Sequence, residues 1–126
     1  MSHLVTIKTE VKNEKAIRRA CERIKCAAIG QGEHEVFTKH HQGFAIRLPG
    51  WTYPVVFDLT TGEAKLDNYA ANNNAWGNPD ELDRFMQAYA AEVIIEQAAT
   101  QGHMVHETIL EDGALQLEVF EMGGWA

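Results

Sequence analysis

A chain of 126 residues, 45% apolar and 23% charged, has the size and composition of one soluble domain over residues 1–126 that can bury a core without metals or disulfides. No apolar run nears the ~20 residues that cross a bilayer, and the start lacks the basic segment and long apolar stretch of a secretion signal, so no membrane partner and a cytoplasmic location are expected. The net charge of −7 is uneven: residues 1–25 carry seven cations and three acids, and the remainder four cations and fifteen acids, so most of this acidic surface would repel a nucleic-acid backbone and the first quarter would not.

Residues 4–11, "LVTIKTEV", alternate in the manner of a strand. Asn13 then caps a helix over about 14–25, in which Ile17, Ala20, Cys21 and Ile24 form a narrow apolar stripe. Cys21 and Cys26 are spaced C-x4-C, neither the redox C-x-x-C nor a zinc pattern. Cys21 reads as a small core residue and Cys26 as packed just beyond the helix. A disulfide is not expected in a reducing compartment. Residues 26–43 suggest a short extended piece at 26–29, a glycine-rich turn and a strand near 34–38. Phe44, Ile46 and Leu48 alternate with Ala45 and Arg47 until Pro49 and Gly50 break the strand. Val55, Phe57 and Leu59 form the next strand. "TTGE" turns, with Gly62 supplying the left-handed residue, and "EAKL" returns.

A polar loop ends at Asn78, Pro79 and Glu81, which together spell a helix start. That helix runs to about Gln101 and stops at Gly102. Leu82, Phe85, Met86, Tyr89, Ala90 and Val93 mark its buried face, and Ile94 and Ile95 widen it. The closing "MVHETILEDGALQLEVF" is a hairpin with two possible registers. A two-residue Asp112-Gly113 turn sets Glu107 against Glu118, a like-charge pair. A three-residue Glu111-Asp112-Gly113 turn pairs His106 with Glu118 and gathers Val105, Ile109, Leu115, Leu117 and Val119 on one face. The second is preferred, although it turns Glu107 inward. The order strand, helix, several strands, long helix, two strands predicts an α+β fold. Its architecture would be a two-layer sandwich, a mainly antiparallel sheet of five to six strands with two helices on one face, in a ferredoxin-like variant.

The opening "MSHLVTIKTEV", "RLPGWTYPVVFDLTTGEAKLDNY", "PDELDRFMQAYAAE" and "EDGALQLEV" together resemble the family labelled domain of unknown function 1257. These are small proteins of cyanobacteria, algal plastids (the hypothetical Ycf-type frames) and various other bacteria. The resemblance spans nearly the whole chain and is weakest over residues 26–43. It implies a single-domain cytosolic protein that works in a larger assembly, with an AAA-type ATPase as the implied neighbour. It supplies no catalytic residues.

Three groups are candidates for function. The adjacent His40 and His41 of "TKHHQG", with His34, His103 and His106 elsewhere, would make a metal or small-molecule site if a turn brought them together. On a strand the two would face opposite ways. No H-E-x-x-H anchor accompanies them, and Ser2 is the only serine, so no triad is legible. No cofactor is called for. The aromatic residues Trp51, Tyr53, Tyr69 and Trp76, with Arg47, would line a partner surface, or else cap the open edge of the core. Arg18, Arg19 and Arg23 fall on the outer half of the first helix, a basic stripe suited to an acidic partner. The alternative there is a solvated face paired with Glu22. RNA is disfavoured, because no aromatic interleaving accompanies the stripe. The leading expectation is a non-enzymatic adaptor with a protein partner. The alternative is a histidine-based metal or small-molecule site, in an unrecognised enzyme. An exposed strand edge or a broad apolar helix would also allow a homodimer.

Overall fold

The computed structural model describes residues 4–36, 39–67 and 77–121. In chain order its elements are β1 (Leu4–Lys8), α1 (Glu14–Ile24), β2 (Ala27–Val36), β3 (Lys39–Arg47) and β4 (Val55–Phe57). There follow β5 (Glu63–Asp67), α2 (Pro79–Thr100), β6 (His103–Ile109) and β7 (Leu115–Glu121). Both helices start on the caps that the sequence spells. The Asn13 side chain accepts the Ala16 N–H at 3.1 Å, and that of Asn78 accepts the Asp80 N–H at 2.9 Å. α1 stops where Lys25 turns left-handed at φ 61°.

The class is α+β. Five strands lie in the order β1-β5-β4-β3-β2, every neighbour antiparallel. These pairings leave β1 and β2 pointing the same way at opposite edges, so α1 carries the chain across the width of the sheet. Phe44, Ile46, Val55, Phe57, Ala64 and Leu66 face the helices. They meet Ile17, Ala20, Cys21 and Ile24 of α1 and Phe85, Ala88 and Tyr89 of α2 in one core. On the other face Val36, Ala45 and Val56 form a small buried patch with Tyr53 against it. Two glycines are set by close approach. A Cβ on Gly43 would lie 2.5 Å from the Phe57 carbonyl oxygen. Gly62 is left-handed at φ 81°, and its oxygen takes both the N–H and the hydroxyl of Thr9 at 2.7 Å, tying the end of β1 to the β4–β5 turn.

Residues 26–43 differ from expectation. There is no turn at the glycines: Gly30 and Gly32 lie within one ten-residue strand, β2. A bulge between Ala28 and Gly30 absorbs the irregularity. Gly32 stands opposite Gly43 and Gly30 opposite Ala45, so a strip without large side chains runs along one face. β3 starts at Lys39, well before Phe44, because its residues 39–43 pair with β2 beyond the point where β4 ends. β4 ends early, at Phe57. There Asp58 Oδ1 accepts the N–H of Thr60 at 2.9 Å and of Thr61 at 3.3 Å and closes the turn. Those backbone donors hold its carboxyl below the usual carboxylate range.

The closing hairpin takes the three-residue register, with His106 opposite Glu118 and Gly113 left-handed at φ 87°. It does not join the main sheet but forms a two-stranded sheet of its own. Phe85 and Tyr89 of α2 look at the large sheet. Arg84, Gln87 and Ala88, on the helix flank, line a cleft with Ile109 and Leu115 of the hairpin. No described helix is long and apolar enough to cross a membrane.

Candidate functional site

The histidines are dispersed by strand geometry. His40 lies on the helix side of β3, its Nδ1 at 3.3 Å from Glu33 Oε1 and its Nε2 at 3.7 Å from Glu35 Oε2. His41, its chain neighbour, faces the other way, directly opposite His34. His34 Nε2 is 2.8 Å from the Gly30 carbonyl oxygen. A carbonyl only accepts, so that nitrogen carries the proton and is not a ligand. His106 belongs to the second sheet, 4.0 Å from Glu118. Among the described residues no three His, Cys, Asp or Glu side chains gather as a metal site.

His41 is the exception to easy solvation. Its Nε2 is buried and has no hydrogen-bond partner among the described residues. Burial first, then Lys65, Lys39 and His40, lower its pKa below 6.5. The unfolded chain therefore binds this proton more readily than the folded one. The stability that neutral His41 confers is complete above pH 6.5 and declines as pH falls from there toward the folded pKa. His41→Leu should flatten the fall of the urea midpoint below pH 6.5. A midpoint that falls as steeply in the variant would assign the proton elsewhere.

The basic and aromatic candidates do not share one surface. Trp51 is 7% exposed, packs in the helix-side core, and donates its indole N–H to the Asn78 oxygen at 3.0 Å. A Cβ on Gly77 would strike the indole at 2.5 Å, so the ring holds the start of α2. Tyr53 lies on the opposite face of the sheet. Arg47 is exposed at the end of β3. Tyr69 and Trp76 lie outside the described residues. On α1, Arg19 is exposed. Arg18 is 3.2 Å from Glu14, and its guanidinium lies 5.0 Å from the centre of the Phe44 ring.

Arg23 is not on the outer half at all. Its Nε is 2.6 Å from Glu92 of α2 and its Nη1 2.6 Å from Glu107 of β6, so one guanidinium clamps both helices and the hairpin. Burial alone would lower its pKa, but the hydrogen bonds to Glu107 and Glu92 outweigh burial and raise it. This clamp explains the inward Glu107 of the preferred register. The charge is consumed inside the molecule.

What the fold leaves open is apolar and lies mostly on the hairpin. Of seven exposed large apolar side chains among the described residues, five are Met104, Ile109, Leu110, Val119 and Phe120. Met104 and Phe120 are cross-strand partners on the face bearing His106 and Glu118, and they are 56% and 49% exposed. Among the described residues β6 and β7 pair only with each other, so each presents an edge that no described strand covers. The stretch 103–121 holds five acids and no Lys or Arg. A second apolar feature, a groove of about 370 Å³, lies between Val11 and the Met86, Ala90, Val93 and Ile94 side of α2.

No family model, no curated protein and no solved structure matches the chain. The functional reading therefore rests on geometry. Sequence reasoning placed Met104 and Phe120 on strands but did not mark them as surface. The signal was present in the register, which sets the two side by side on the face away from Val105 and Leu117. What it did not carry was whether a third strand or a helix covers that face.

Proposed function

We propose that the chain is a non-enzymatic protein-binding module that docks through the β6–β7 hairpin. The observation that supports this is the concentration of exposed apolar side chains on a ribbon whose two edges are unpaired among the described residues. Such an edge accepts an added strand, main-chain bonds giving affinity and alternate side chains giving selectivity. The acids around it select a partner segment that is extended, apolar in alternation, and flanked by Lys or Arg. Membership of the family labelled domain of unknown function 1257, and the AAA-type ATPase neighbour which that likeness implies, belong to this proposal, the ATPase being one partner to test. The histidine-based alternative draws less support, because His40, the His34–His41 pair and His106 occupy three separate surfaces.

In capture from lysate of the producing cells, Met104→Lys with Phe120→Lys should reduce the captured partner at least ~tenfold, the scale of losing one apolar anchor pair. The variant's melting temperature should stay within a few degrees, since both side chains face solvent. Arg18→Glu with Arg19→Glu should leave capture intact. Unchanged capture by the hairpin variant, or loss through the α1 variant, would overturn the hairpin reading.

A further inference from the structure

The last turn of α1 brings two thiols together. Lys25 is left-handed, and its N–H bonds to the Cys21 oxygen. The next N–H, that of Cys26, reaches the same oxygen at 3.0 Å. That second bond is the six-residue closure of a Schellman cap, whose usual companion is a side-chain contact between the two residues it joins. In most helices the contact is apolar; here both partners are cysteines. Bond geometry bounds their separation. A carbonyl oxygen lies about 2.4 Å from its own Cα and an amide nitrogen about 1.5 Å from its own. A 3.0 Å bond therefore keeps the two Cα atoms within about 6.9 Å. The limit for bridging without backbone movement is about 7 Å.

The environments differ in the way thiol exchange requires. Cys21 is 2% exposed, while Cys26 is only partly buried against the same core. The hydrogen bond between the two thiols, then burial, push Cys21 far up, so it holds its proton. The same bond lowers the Cys26 pKa. Both are free thiols in this structure.

We propose that Cys21 and Cys26 form a redox-active dithiol that exchanges with small-molecule disulfides of the glutathione class, Cys26 attacking and Cys21 resolving. Cys26 gives its proton to solvent, and its thiolate attacks one sulfur of the disulfide. That S–S bond breaks, a mixed disulfide forms on Cys26, and the first small thiolate leaves. Cys21 then gives up its proton, and its sulfur attacks the Cys26 sulfur, expelling the second small thiolate. The chain loses two electrons and two protons, and the disulfide becomes two thiols. The product is a Cys21–Cys26 disulfide across the helix cap.

The test equilibrates the native chain in glutathione buffers of graded poise, quenches with acid, alkylates, and maps the cysteines by mass spectrometry. Wild type should pass from two alkylated cysteines to none in one two-electron transition, with a Cys21–Cys26 cross-linked peptide and no persistent mixed disulfide. Cys21→Ser should trap glutathione on Cys26. In Cys26→Ser, the remaining Cys21 should react with glutathione disulfide at least ~tenfold more slowly than Cys26 does in Cys21→Ser, as an inaccessible, protonated thiol must. Circular dichroism of both variants confirms that the fold is retained. A mixed disulfide that persists on wild-type Cys26 would overturn the proposal, as would a Cys21 that reacts as fast as Cys26.

Discussion

Phe85→Ala should lower the unfolding free energy by about 4 kcal/mol, within the range for removing a fully buried aromatic ring. The ring has no exposed surface. It stacks with Phe57 of β4 at 5.6 Å between centroids and with Tyr89 one turn on at 6.2 Å. It is thus the bridge by which α2 grips the middle of the sheet. The loss extends past the cavity. The Tyr89 hydroxyl accepts the N–H groups of Lys12 and Asn13, each at 3.1 Å, and donates to the Glu10 oxygen at 3.3 Å. A ring free to shift into the Phe85 space loosens the start of α1. Phe85→Leu, which keeps most of the volume, should cost only about 1.5 kcal/mol. Urea titration would separate these cases. A domain of this size commonly holds ~5–15 kcal/mol in total, so the alanine variant sits near the threshold of folding. A loss below ~1 kcal/mol would mean that α2 does not rest on the sheet through this ring.

The helices were legible because their ends are written in side chains that satisfy orphan backbone groups. Asn13, Asn78 and Pro79 suffice for the starts, whatever the rest of the chain does. The hairpin register was legible for a different reason, since only one pairing avoids Glu107 opposite Glu118. Residues 26–43 were not. A strand is read by alternation, and glycines at 30, 32 and 43 remove the side chains that would alternate. Their pairing partners are other small residues across the strands, visible only once β2 and β3 are laid together. Arg23 failed for a third reason. The helical wheel assumes that α1 has a single neighbour, the sheet. Two further neighbours, α2 and the hairpin, stand at the flank, so an angle that points outward from the sheet points inward to Glu92 of α2 and Glu107 of β6. The aromatic surface failed similarly: composition grouped Trp51 with Tyr53, and the sheet lies between them.

Arg23→Ala should cost about 3 kcal/mol, because it leaves two carboxylates facing an empty space, and Glu92 has little access to water. The exposure decides this. The side chains of Arg23, Glu92 and Glu107 are 26%, 11% and 32% exposed, well below the surface pairs Arg18–Glu14 and Lys12–Glu10, which should each contribute under ~1 kcal/mol. Arg23→Lys should recover only part of the loss, since a single ammonium does not present the guanidinium's two separate N–H donors to two acceptors. A double-mutant cycle with Glu92→Ala should show coupling of about 1–3 kcal/mol. The location of the damage matters more than its size. An isolated two-stranded ribbon is marginal in water, and the clamp to Glu107 joins the hydrogen bond from Gln87 to the Gly113 oxygen in holding the hairpin to the helices. Hydrogen exchange in Arg23→Ala should therefore accelerate in β6 and β7 before it does in β3, β4 and β5. Equal acceleration in both sheets would mean that hairpin and core unfold as one unit, and that Arg23 does not act as a separate hinge pin for the proposed docking ribbon.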